Sequence, residues 1–249
     1  MPYLNAPAES IQRSFDIADG DLPDAAIMVG QWGERPYFER VRAIWPGARE
    51  AGSHNLVIEE GGRRIWIGVV VGGAMAAMLS QAAAALGSRA IIQIGSYGGL
   101  ADGCFVGDVL VPSLIVGRDG VSRQLSRNKP IDPDGALTEL ILEEIGARLD
   151  GATVRSGTLL TTTTMSHERD SDIARWRRRG YAGVEMECAV TAATAAHFGI
   201  PSAGAFVLMD NLAAGHTIFM TSEEDRRRIS IGKDAILRGA VAAAVRAIG

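Results

Sequence analysis

The sequence predicts an α/β fold, a single-domain three-layer α/β/α sandwich around a central mixed sheet, and three observations carry that expectation. Apolar runs of strand length alternate with longer helical patterns along the 249 residues. No linker, low-complexity tail or internal repeat divides the chain, so residues 24–249 read as one domain behind an N-terminal segment of residues 1–23. Hydrophobic residues at 47%, charged residues at 22% and 30 glycines suit a globular chain with a substantial core and many tight turns.

The elements follow in order. Asp24–Gly30 is a buried apolar strand that opens into a glycine-containing loop. Two strands, His54–Glu60 and Arg63–Val71, flank Gly61-Gly62, a hairpin signal because both turn positions need a positive φ. Gly73–Leu86 is an Ala-rich helix that Gly87 ends. Ala90–Gly95 and Asp108–Val116 are strands, the second followed by an Asp119-Gly120 turn. The spacing then predicts a helix over Asp134–Leu149, a strand over Ala152–Thr161, and helices over Asp170–Arg179 and Cys188–Phe198. Pro201–Asp210 is a strand, and Ser222, with acids in the turn after it, starts a last helix that runs to about Ile248. In such sheets ligands bind beyond the carboxyl ends of the strands. The loops after Val29, Ile94, Thr161 and Met209 are therefore the places to look for a site.

Composition excludes several classes. A net charge of −4 offers no global attraction to nucleic acid or an anionic membrane. Two basic clusters, Arg175 with Arg177–Arg179 and Arg226–Arg228, fall in helical stretches and read as solvated faces. Cys104 and Cys188 stand far apart with no histidine at metal spacing, which predicts neither a disulfide framework nor a metal site, and no cofactor is implied. The Ala-rich run is interrupted by Ser80 and Gln81 and falls short of the roughly 20 residues a membrane span needs. Without an apolar leader in its first residues, the chain is expected to be cytoplasmic.

Three segments carry chemistry. In Glu185-Met186-Glu187 two carboxylates flank a Met after an apolar run and before a helix. They repel unless donors satisfy them, and a vicinal diol offers two O–H donors; acids that favour a helix N-terminus are the plain alternative. Gln93-Ile-Gly95-Ser96-Tyr-Gly-Gly-Leu, followed by Gly107-Asp-Val, predicts a strand that ends in a turn with free N–H groups and a hydroxyl for an anion or a water. Asp210 closes an apolar strand, where burial raises a carboxyl into the range of a general acid; a turn cap by Asp210 or Asn211 is the alternative.

In their order along the chain and in their spacing, over roughly residues 24–248, the three segments resemble the nucleoside phosphorylase/nucleosidase superfamily. The resemblance implies a phosphorylase/hydrolase-like fold. It gives Glu187 the ribose 2′- and 3′-hydroxyls, Met186 the sugar face, Glu185 a place beside them, and Asp210 the protonation of a departing purine at N7. Two departures stand at this last motif: Met209 where the family has Ser, and Leu212-Ala213 where its spacing is one residue shorter. Met165 is the counterpart of a residue that stacks on the base, with Thr164 beside it, although Thr161–Thr164 also reads as a strand extension. His167-Glu168-Arg169 is similar to a Gln-x-Arg base reader at a shorter spacing, and His167 and Arg169 read as surface residues. No His precedes His54 to meet a 5′-hydroxyl.

What attacks the sugar divides the family. Its phosphorylases carry arginines before the Gly-Ser turn and in the loop after the first strand, whereas this chain has Gln93 and, four positions after Gly30, Glu34. Glu34 and Gln93 are similar to the water-activating Glu and the uncharged residue of the methylthioadenosine/S-adenosylhomocysteine nucleosidase branch. The expectation is a nucleosidase that hydrolyses a purine-type ribonucleoside: Glu34 activates water, Asp210 protonates the base, and Gly30, Gln93, Gly95 and Ser96 hold the water. The alternative is a phosphorylase that uses inorganic phosphate with Ser96, Arg35 and Arg49 of a partner subunit. A catalytically silent nucleoside-binding protein is the third reading. The partners implied are a small nucleoside and, by resemblance, further copies of the chain in a dimer or hexamer.

Overall fold

One mixed sheet organises the computed structural model, which describes residues 3–149 and 152–249. Its strands are β1 (Ala25–Gly30), β2 (Arg49–Glu50), β3 (Asn55–Glu60), β4 (Arg63–Val70), β5 (Ile91–Gly99), β6 (Val109–Gly117), β7 (Val154–Thr161), β8 (Gly183–Glu185) and β9 (Ser202–Asp210). They run in the order β2-β3-β4-β1-β5-β8-β7-β6-β9, and β9 also pairs with β5. The last five strands thus close into a ring, with β5 and β9 parallel and β5–β8 and β6–β9 antiparallel. The β3–β4 hairpin forms as expected, with positive φ at both Gly61 and Gly62.

Helices cover both faces, and β1 shows why. Its alternate residues Ala25, Ile27 and Val29 face a core shared with α2 (Glu34–Ile44), α5 (Gly135–Gly146) and α8 (Glu223–Ala247). The intervening Ala26 and Met28 face α1 (Ala8–Ser14), α3 (Gly72–Ala85) and α7 (Cys188–His197). A period of two on a strand covered on both sides makes a continuous apolar run. The shorter α4 (Ser122–Ser126) and α6 (Asp170–Arg178) complete the helices among the described residues. Caps set where the longer helices begin. Asp134 accepts from Leu137 N–H at the start of α5, and Ser222 with Asp225 forms a reciprocal capping box on α8. No helix of the described residues is long and apolar enough to cross a membrane.

Four features differ from the sequence expectation. First, β5 does not end at Gly95 but continues to Gly99, because β9 pairs with it up to Asp210 and β8 pairs with Gly98 and Gly99. Much of the expected N–H-bearing turn is therefore strand. Second, the segment after Gly30 is only a short loop, since α2 begins at Glu34. Third, only Thr161 of the threonine run belongs to β7. Fourth, α1 lies inside the N-terminal segment, and Ile11 and Ile17 enter the core beside α3.

Candidate active site

Because β1, β5 and β9 run parallel, their carboxyl ends meet at one edge of the sheet, and a cavity of about 820 Å³, counted out to its mouth, opens there. Gly30, Gln31 and Trp32 after β1 line it, with Ser96, Tyr97 and Gly98 of β5 and Met209, Asp210 and Leu212 around the end of β9. The β7–α6 connection contributes Met165 and Glu168, and Val184–Glu187 form the opposite wall. Ile218 and Lys233 complete it.

The two glutamates of the Gly-Val-Glu-Met-Glu segment do different things. Glu185 caps α7: its Oε2 accepts from the N–H groups of Glu187 at 2.7 Å and Cys188 at 2.8 Å, and Thr161 donates its hydroxyl to Oε1. Thr161 Oγ1 in turn accepts from Ala189 N–H at 2.9 Å. Glu187 lies where the ends of β1, β4 and β8 converge. Its Oε1 accepts from Gly72 N–H at 2.6 Å, and its Oε2 lies so close over Gly30 that a Cβ there would come within 2.8 Å. Burial raises both carboxyls above the usual glutamate range, and for Glu185 the charge of Glu187 adds to it. Glu187, with Met186 beside it, is the one with capacity left for a ligand.

At the other end stands Asp210, pushed up to about 6 by burial, with His216 and the N–H of Ile218 pulling the other way. Glu168 faces it from the β7–α6 connection and is pushed up to about 7 by burial, then by Asp210 and Asp172. Lys233 reaches in from α8 and donates to Gln31 Oε1 at 2.9 Å. Burial, and the Arg40 charge after it, lower its pKa. Among the described residues no carboxylate pairs with it, and no arginine lines the cavity.

The cavity thus unites Gly30, Ser96, Met165, Glu185, Met186, Glu187 and Asp210, and leaves the other expected residues outside its lining. Glu34 occupies the first turn of α2, where the helix dipole favours an acid, and its carboxylate meets His54 Nδ1 at 2.5 Å. Gln93 is buried beneath the floor, accepting from Thr191 Oγ1 at 2.6 Å and donating to the Ile94 carbonyl. Gly95 packs on the Gly30 backbone within the sheet, and Thr164 caps the short turn Met165–His167. Arg35 is exposed and pairs with Glu39, and Arg49 pairs with Asp21 and Glu59 of its own chain.

Of the cavity residues that the sequence does not point to, three bear on its chemistry. Lys233 lies on the last helix, far along the chain from every motif. Glu168 lies between His167 and Arg169, which read as surface residues in a segment similar to a base reader. Trp32 at the mouth, 62% exposed, is the aromatic side chain that the threonine-rich loop lacks. A signal for Lys233 existed in its position, a cation one residue from Gly232 on the buried side of α8. Among the described residues, no group of three or more His, Cys, Asp or Glu side chains is arranged to hold a metal.

Two solved structures share this architecture. A purine nucleoside phosphorylase from Toxoplasma gondii, in complex with immucillin-H, aligns with a TM-score of 0.77 at 16% identity, over 99% of this chain and 96% of its own. A uridine phosphorylase from Vibrio fischeri aligns with a TM-score of 0.75 at 17% identity, over 98% and 95%. At these identities the likeness is one of fold. The model of the phosphorylase superfamily matches residues 24–242, nearly the whole chain, and this protein therefore belongs to that superfamily of enzymes.

Proposed function

We propose that the chain is a nucleoside phosphorylase that transfers the ribosyl group of a purine-type nucleoside to inorganic phosphate. The observation that carries this reading over hydrolysis is Lys233, a part-buried cation on the cavity wall with no carboxylate partner among the described residues. A phosphate dianion needs fixed positive charge in a site that excludes water, and Ser96 and the loop after Gly30 supply donors beside it. Glu34, the base that hydrolysis would need, lies outside the cavity lining and is engaged by His54.

The roles follow from position. Glu187 accepts from the ribose hydroxyls, Met186 packs on the sugar, and Met165 and Trp32 offer apolar surface to the base. As the C1′–N9 bond breaks, its electron pair moves into the base and Asp210 gives its proton to N7, so the base departs neutral. A phosphate oxygen bonds to C1′, and the proton that hydrogen phosphate releases restores Asp210. An oxocarbenium-like sugar between these events is stabilised by the nearby anions.

Incubating a nucleoside panel with and without phosphate tests this. Free base and ribose 1-phosphate are expected only with phosphate, and free ribose in phosphate-free buffer would sink the reading. Lys233→Met should raise the phosphate KM about ten- to hundredfold, the loss of about 1.5–3 kcal/mol for a charge-assisted contact. Hydrolysis is the second reading, favoured by one observation: among the described residues no arginine lines the cavity, and Gln93 stands where the resemblance expects one.

A further inference from the structure

Glu168 is the cavity group that sugar, phosphate and proton transfer leave unused. It follows the short turn Met165–His167, so the segment that carries Met165 also turns this carboxyl onto the wall. Among the described residues its side chain has no hydrogen-bond or ion-pair partner, and the charged groups acting on it are acidic: Asp210 at the end of β9 and Asp172 in the first turn of α6. Asp210 in turn feels His216 from the loop after β9 and the nearby Ile218 N–H, which both favour its charged form. Two carboxyls sharing a part-buried wall are held best with one proton between them. They then present one O–H donor and one anionic acceptor to the same cavity.

We infer that Glu168 and Asp210 together read the base and select a 6-aminopurine, Glu168 accepting from the exocyclic amino group while Asp210 donates to N7. This rests on reading the cavity as a nucleoside-cleaving site. A 6-aminopurine carries an acceptor, N7, and a donor, the 6-amino group, next to each other on one edge. A 6-oxopurine carries two acceptors there and would set its carbonyl against the Glu168 carboxylate. The ligand also decides which acid holds the shared proton, because the amino N–H favours a charged Glu168 and N7 favours a neutral Asp210. The same proton is the one that follows the departing base.

The test compares kcat/KM for adenosine and inosine in the wild type and in Glu168→Gln. Gln can turn either end of its amide to the base, donating to a 6-oxo group as readily as it accepts from a 6-amino group. The wild type should favour adenosine by about tenfold or more, and the variant should shift that ratio about tenfold toward inosine. A wild-type preference for inosine, or a ratio unmoved by the substitution, overturns the inference. Calorimetric binding of free adenine and hypoxanthine gives a readout independent of turnover. Adenine should bind more tightly, with the difference lost in Glu168→Gln; equal binding in the wild type also overturns it. A base preference without cleavage of any nucleoside would defeat the proposed function and leave the base-reading pair standing. Cleavage without a preference would do the reverse.

Discussion

At Gly30 a methyl group would come within 2.8 Å of Glu187 Oε2, the end of a side chain that can turn aside. Gly30→Ala should therefore spare the fold and displace the carboxylate proposed to hold the sugar. We expect kcat/KM to fall at least about tenfold, the scale of one lost hydrogen bond, with an unchanged thermal midpoint; a fully active variant would remove Glu187 from the sugar site. Asp210 makes a second prediction at this scale. Its folded pKa of about 6 lies above the ordinary aspartate value of 3.8, because burial penalises the charged form. The stabilisation that its neutral form gives is complete below the unfolded pKa and is lost as pH rises through about 6. Asp210→Asn should accordingly be more stable than the wild type at pH 8 by urea unfolding, with the gap closing toward pH 4. In the wild type, the alkaline limb of kcat/KM should set in above about pH 6, where the free enzyme loses the Asp210 proton.

Among the elements, the N-terminus of α7 concentrates the most demanding polar packing. Nearly all of that helix is buried, so its first N–H groups cannot turn to water. Glu185 and Thr161 satisfy three of them, at Glu187, Cys188 and Ala189. Thr161→Val keeps the shape and removes the hydroxyl that serves both Ala189 N–H and Glu185. It should cost about 1–3 kcal/mol of unfolding free energy, measured in urea, while a loss under about 0.5 kcal/mol would show that the cap is redundant. The Gly107-Asp108-Val109 segment has the same character. Asp108 is buried and accepts from Phe105 N–H, Thr153 N–H and Arg155, fastening the start of β6 to that of β7. A motif that marks the family in sequence is here a clamp between strands.

For the molecule as a whole, closure of β5-β8-β7-β6-β9 into a ring is what brings Ser96, Glu187 and Asp210 to one cavity. That ring depends on α5 and α8, which lie on the same core as β6 and β9. The two helices approach at Gly239, where a Cβ would lie 2.6 Å from Ile145 Cγ1 and 3.3 Å from its backbone nitrogen. Gly239→Val must push the pair apart, and overpacking of this kind costs about 1–3 kcal/mol. The melting temperature should fall by about 2–4 °C for each kcal/mol in a chain of this size, and an unchanged melting curve would show that α8 can slide without cost.

The alternation of apolar runs and helical patterns was enough to determine the layers of the fold, because burial on both faces leaves a continuous apolar strand and a cap leaves its residue type. Gly-Val-Glu-Met-Glu, the Gly-Ser strand and Asp210 were legible as site elements for the same reason: each lies within a few residues of a strand end. Where the chain is local, the residues suffice. What only the tertiary structure decided is which polar groups share the cavity. The sequence reading gave Glu34 to the site on loop spacing, and the folding of residues 34–44 into α2 turned it toward His54 instead. Gln93 lost its place because α7 packs on β5 and Thr191 takes its amide beneath the cavity floor. Lys233 and Glu168 gained theirs through packing between segments distant in sequence. Spacing along a chain records contacts within an element, whereas the charge of a cavity is the sum of side chains that meet only after the sheet has closed.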